Sequence, residues 1–184
     1  MKLRQTTWIL LVSTFLLGGV VYFTTTQETT QQQELTNKQQ KLFNFVREDI
    51  QDILIKTPKT TLQFEATNNQ VTPWRMKQPE QTLASNATVS FLVDLLINGK
   101  SEKTFTIPVE QKKEYGLDIP QAIITITLKN QKTHQLILGK TDFEDKFLYA
   151  QIDPINSEVV QISLVDKSFQ FALERELSEW KQEP

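Results

Sequence analysis

The stretch Ala122–Lys129, AIITITLK, places Ile124, Ile126 and Leu128 on one side of an extended chain and Thr125, Thr127 and Lys129 on the other. Alternation with a period of two is what a strand needs when one face is buried and the other is wet. Three further runs downstream, His134–Leu138, Phe147–Ile152 and Val159–Val165, read as strands as well. The connections are short, Asn130-Gln131-Lys132 and the loop after Gly139 among them, which predicts an antiparallel meander rather than crossover units.

Upstream the same logic applies. DILIKT sets Ile53 and Ile55 on one face, and TLQFEA does so with Leu62 and Phe64; the two are expected to pair around Pro58-Lys59. A short strand is expected at Trp74-Arg75-Met76, ending before Pro79. In SNATVSFLVDLLINGK, Val89, Leu92, Val93 and Leu96 fall at helical spacing, with Ser85 or Asn86 as cap and Asn98-Gly99 as stop. PVEQKKEYGLDIPQA predicts a short helix: Pro108 suits its first turn, Gly116 the left-handed residue ending it, and Pro120 bars continuation. SFQFALERELSEW closes the chain with a helical stripe of Phe169, Ala172, Leu173, Leu177 and Trp180. The expected fold class is α+β: an antiparallel sheet of six to seven strands with helices packed on one face, preceded by a single transmembrane helix.

That last element rests on TTWILLVSTFLLGGVVYFTTT, Thr6–Thr26, which holds no charged residue. As a helix, Trp8–Phe23 would span about 24 Å, and the flanking threonines extend it toward the roughly 30 Å of a hydrocarbon core. Bulky Tyr22 and Phe23 stand where a signal-peptide cleavage site needs small residues, so retention is expected. Lys2 and Arg4 precede the segment, while the first cation after it is Lys38, which predicts a cytoplasmic amino terminus and an extracytoplasmic remainder, periplasmic or lumenal. The expected domains are a signal anchor (1–26), contacting lipid through residues 8–23, a polar Gln-rich stalk (27–46), helical or flexible, and a folded domain (47–184).

Composition narrows the chemistry. Of 184 residues, 20 are Lys or Arg and 22 Asp or Glu, a net charge of −2 that lacks the basic excess of a nucleic-acid binder. With no cysteine, disulfides, thiolate metal sites and cysteine nucleophiles are excluded. His134 is the only histidine and has no HExxH-type companion, so it is read as a surface or edge residue. No GxSxG elbow is present. Asp142, Glu144 and Asp145 in TDFEDK lack EF-hand spacing and read as solvated turn carboxylates. No catalytic, cofactor-binding or metal-binding residue is therefore predicted, and the chain is not expected to be an enzyme. Trp74, Trp180 and Tyr115 are the candidate partner contacts, although core filling is the favoured role for the two tryptophans.

The order Trp74-Arg75-Met76 to Pro79, Ala84-Ser85-Asn86 before a helix, Tyr115-Gly116-Leu117-Asp118 with Pro120, and Leu138-Gly139-Lys140 before a strand holding Tyr149 resembles the bacterial domain of unknown function 4340 family, over about Ile50 to Leu177. The resemblance implies a membrane-anchored domain outside the cytoplasm and an accessory role beside gliding-type ABC transport components. The functional expectation is a single-pass anchored, protein-binding accessory of an ABC-type transport or envelope complex; the alternative is a subunit or assembly factor of another membrane complex, such as an energy-converting (photosynthetic) one.

Overall fold

Ile53 and Ile55 of strand β2 (Ile50–Lys56) lie directly opposite Ile126 and Ile124 of β7 (Ala122–Leu128), and all four are fully buried. This seam lies near the middle of a ten-stranded sheet in the computed structural model, which describes residues 39–182. The other strands are β1 (Gln40–Lys41), β3 (Thr61–Ala66), β4 (Trp74–Gln78), β5 (Thr82–Leu83), β6 (Lys100–Pro108), β8 (Thr133–Thr141), β9 (Phe147–Ile152) and β10 (Val159–Asp166). Every pairing is antiparallel, in the order β1-β6-β10-β9-β8-β7-β2-β3-β4-β5. The strands from β7 to β10 form the meander that the alternation predicts.

Helix α1 (Asn86–Asn98) is capped by the Ser85 hydroxyl, which accepts from the Thr88 N–H at 3.4 Å. It follows β5 at one edge of the sheet and precedes β6, which lies next to β1 at the other edge. Val89, Leu92, Val93 and Leu96 are fully buried and join the core cluster that holds Ile53, Ile124 and Phe64. Each such aliphatic side chain withdrawn from water contributes about 1.5–3 kcal/mol before entropy is counted.

Register places Phe105, Ile107, Val160 and Ile162 on the opposite face, because Ile162 pairs with Phe105 and Val160 with Ile107. There they form a second cluster with Leu117, Tyr115, Ile137 and Tyr149. Val109–Tyr115 is a 3-10 helix that ends at Gly116, whose φ of 68° is the left-handed conformation glycine adopts without a Cβ penalty. A Cβ at Gly139 would lie 2.1 Å from the Tyr115 carbonyl oxygen, so only glycine lets this turn rest on β8. The glycines at 116 and 139 are thus paired by one close approach.

The expected α+β fold of six to seven strands with packed helices is overturned. The described residues are largely β: one ten-stranded antiparallel sheet, with a single 13-residue helix and short helical turns that form no helical layer. β1 and β5, two residues each, are too short to show any period. β6 carries only Phe105 and Ile107 among Lys, Glu, Thr and Ser, the dilute pattern of a strand beside a sheet edge. The closing helix is broken into α2 (Ser168–Leu173) and a 3-10 turn, Leu177–Trp180. Tertiary contacts win over propensity there: Trp180 stacks on Phe64 and its carbonyl oxygen accepts from the Ser85 N–H.

The anchor expected at residues 8–23 lies outside the described residues. Among the described residues no helix is long and apolar enough to cross a membrane. Within the segment expected as stalk, Gln40–Lys41 pair with Lys100 and Ser101, and Leu42, Phe43 and Phe45 are buried.

Candidate functional site

At one end of the sheet, the turn between β2 and β3 (Thr57–Thr60) faces α2 and the segment that follows it. Between them opens a cavity of about 450 Å³. Ile55, Leu62, Leu138, Leu148, Leu173 and Leu177 line it, and Trp180 closes part of its wall. Its rim carries Lys59 and Arg175 against Glu174 and Glu176, so the charges balance. An apolar cavity of this size with a few polar groups converging on it is the usual form of a small-ligand site.

The polar groups are unusual in one respect. Among the described residues, four buried side-chain polar atoms have no protein partner, and three belong to residues lining this cavity: Gln170 Oε1, Arg175 Nε and Trp180 Nε1. Gln170 is oriented by its Nε2, which donates to Glu174 Oε1 at 2.6 Å and leaves the carbonyl oxygen as a spare acceptor. Arg175 is held by Glu179, which accepts from Nη1 at 3.2 Å, and by the Phe91 ring, whose centroid is 5.7 Å from the guanidinium carbon. Its Nε–H is the spare donor. Trp180, 1 % exposed, is fixed by the Phe64 stack. All three atoms are sealed from water, so they sit within the wall rather than open into the cavity, and each costs about 1–3 kcal/mol of stability.

A second, more open depression surrounds His134. His134 Nδ1 lies 2.7 Å from Asp153 Oδ2, while Asp153 Oδ1 accepts from the Gln135 N–H at 2.8 Å. The imidazole packs against Phe43 and Phe45, with ring centroids 5.5 and 5.4 Å away. Thr125 and Thr133 complete the lining. This His–Asp pair had no signal in the sequence, because β8 and the turn after β9 are joined only by sheet pairing. His134 is thus a partly exposed strand residue, paired with Asp153 and flanked by aromatics.

The TDFEDK loop is a tight turn. Asp142 Oδ1 accepts from the Lys146 and Phe147 N–H groups at 2.8 and 2.9 Å. Desolvation would raise the Asp142 carboxyl, but those backbone donors, the Glu144 N–H and the Lys146 charge together hold it below the usual aspartate range. No group of three or more His, Asp or Glu among the described residues is arranged to hold a metal ion.

Two of the three candidate partner contacts, Trp74 and Trp180, share the main core cluster, and Tyr115 packs in the other. Trp74, 3 % exposed, is a core residue, as is Trp180. Tyr115 packs edge-on to Tyr149 at 4.9 Å and against Phe105 at 5.6 Å on the second face. Burial there, followed by the Asp142 charge and Tyr115, pushes the Tyr149 phenol above its ordinary value. Of the three, only Trp180 reaches the cavity. Gln170 and Arg175 were not anticipated as site residues, since a spare hydrogen-bonding atom is a product of packing and leaves no trace in spacing.

The model of a family described as "Domain of unknown function (DUF4340)" matches residues 74–183, more than half of the chain. The match takes in the Gln170, Arg175 and Trp180 side of the cavity but not the β2–β3 turn. No curated protein and no solved structure matches.

Proposed function

This chain belongs to the domain of unknown function (DUF4340) family, and from that premise we propose that it is a single-pass, membrane-tethered binding protein. Its folded domain stands outside the cytoplasm and binds a protein of an ABC-type transport or envelope complex. The observation that carries the reading is the uncharged segment Thr6–Thr26, with Lys2 and Arg4 before it and no further cation until Lys38. Such a segment favours lipid over water, and its charge flanks favour an inside amino terminus. Tethering then acts by concentration: a domain confined to a shell near the membrane meets a membrane-embedded partner at far higher effective concentration than a free one. The apolar cavity supports a role in binding.

Protease added to right-side-out vesicles tests the topology: the domain should be digested while a short amino-terminal fragment stays protected. Crosslinking in intact membranes, followed by mild detergent extraction, should return transporter or envelope subunits. A carboxyl-terminal domain inaccessible from outside would overturn the reading, as would a mature chain beginning after Tyr22.

A further inference from the structure

We propose that the outer edge of β6, over residues 103–108, receives a short extended segment of a partner protein as an added strand. This rests on the protein-binding reading above and gives it a site and a ligand chemistry: main-chain amides in strand conformation, with one apolar side chain set beside Phe105.

β6 is nine residues long, yet among the described residues its outer side is covered only at Lys100 and Ser101, by β1. Its inner side pairs with β10 as far as Pro108, which lies opposite Val159. One step further in the same register, the Val109 N–H donates to the Glu158 carbonyl at 2.9 Å, and this bond sets the phase of the ladder. In an antiparallel pair, hydrogen-bonded residues alternate with residues whose N–H and C=O point the other way. Ile107 and Phe105 therefore bond to β10, whereas Thr106 and Thr104 turn both main-chain groups outward. Pro108 fits the same phase, because its nitrogen, which carries no hydrogen, falls on the outward side. Thr106 is exposed and Thr104 partly so. Two donors and two acceptors at strand spacing are what another extended chain matches, bond for bond.

The length of the opening selects the occupant. β1 closes it at Ser101, where Gln39 Nε2 also donates to Glu102 Oε2 at 2.7 Å, and the chain leaves the sheet for the 3-10 helix at Val109. A second copy laying its own nine-residue β6 along this edge over its full length would run into β1; a short segment would not. Side chains refine the choice. Phe105 is half-buried, packing against Tyr115 at 5.6 Å and edge-on to Tyr149 at 6.4 Å, so a β-branched or aromatic residue opposite it extends that cluster. On the other face Thr104 Oγ1 lies 3.3 Å from Ser101 Oγ and 3.2 Å from Ser163 Oγ, a row of hydroxyls that suits Thr or Ser. Lys103, exposed at the β1 end, favours an acidic residue there.

The test follows amide exchange in the full-length chain in phosphatidylcholine nanodiscs, with acetyl-Glu-Thr-Val-Thr-Val-Thr-Lys-amide as the probe. Before it is added, the Thr104 and Thr106 amides should exchange fast and those of Phe105 and Ile107 slowly. The probe should then slow Thr104 and Thr106 saturably. The same peptide with proline in place of both valines, which lacks those donors, should bind at least about ten-fold more weakly. Thr106→Pro removes one outward N–H where an edge strand accommodates proline, and should weaken the probe roughly five-fold, the scale of one hydrogen bond. Thr106→Val, which keeps both main-chain groups, should bind it as wild type does. Slow exchange at Thr104 and Thr106 before the probe is added would show the edge already filled, by the chain itself or by a second copy, and would overturn the proposal. So would no saturable slowing, equal binding of the proline peptide, or a Thr106→Val chain that loses the probe. These readouts decide the matter even if Thr106→Pro fails to fold. A crosslinked partner recovered undiminished in the presence of saturating probe would overturn the edge assignment alone and leave the tether reading standing.

Discussion

Trp180 lies stacked on Phe64, with ring centroids 5.1 Å apart and planes inclined by 30°, so the last turn of the described chain is pinned to the centre of β3. Both rings are essentially inaccessible to water.

This stack is expected to dominate the stability of the carboxyl-terminal segment. Trp180→Ala should cost about 3–5 kcal/mol, the range for deleting a large buried aromatic. Trp180→Phe, which keeps a ring on Phe64, should cost markedly less. Urea denaturation of the two variants checks the difference.

The close approach of Gly139 to Tyr115 predicts a backbone clash rather than a cavity. A Cβ at residue 139 would meet the Tyr115 carbonyl at 2.1 Å and Leu117 Cδ2 at 3.1 Å. Gly139→Ala should destabilise by about 1–3 kcal/mol, as overpacking does, and should lower the order of the 3-10 helix first. Thermal unfolding and amide exchange at Lys112 and Lys113 give the readout.

Asp52 is expected to make stability rise on acidification. Burial is the largest influence on it and raises its carboxyl above the ordinary 3.8; Glu65 adds to this, while Gln63 and Lys77 oppose it. The fold therefore holds this proton more tightly than the unfolded chain does. The resulting stabilisation is full below pH 3.8 and is lost as pH rises through the folded value. Asp52→Asn should be more stable than wild type at neutral pH by a few tenths of a kcal/mol, the scale of a half-exposed charge. The advantage should vanish below pH 3.8.

Asp142 has the opposite sign. Its carboxyl is held low by backbone donors that outweigh desolvation, so its contribution is present above pH 3.8 and disappears as pH falls through the folded value. Asp142→Ala should speed amide exchange at Lys146 and Phe147, whose N–H groups lose their acceptor. In wild type, acid should lower the protection of the same two amides relative to their intrinsic exchange rate.

Much of this fold is legible in the chain because period-2 alternation survives wherever one face is buried. Ile124–Leu128 and Ile53–Ile55 announce their strands directly, and Ser85 and Gly116 mark a helix start and a turn end by chemistry that acts locally. Other features escape for equally physical reasons. β6 is mostly polar because it runs beside a two-residue edge strand, and Lys100–Pro108 therefore carries little periodic signal. The stripe from Phe169 to Trp180 fits a helix in spacing, yet the Phe64 stack and the Ser85 hydrogen bond fix Trp180 in a geometry that one helix cannot reach. The candidate site was hidden more deeply. Trp180 is conspicuous as a residue type, but its relation to Gln170 and Arg175 exists only once α2 and the β2–β3 turn have closed on each other.

The seam between β2 and β7 carries a kinetic consequence. β2 with β3 and β4, and β7 through β10, are runs of neighbours in sequence, so each can zip locally. Joining Ile55 to Ile124 instead closes a long loop that includes α1 and β6. Loop closure must be met before such distant contacts return any free energy. Central position in the finished sheet thus corresponds to late arrival during folding: Ile55→Val and Ile124→Val should chiefly accelerate unfolding, whereas Ile137→Val in the β7–β8 hairpin should slow refolding, as stopped-flow chevrons would record.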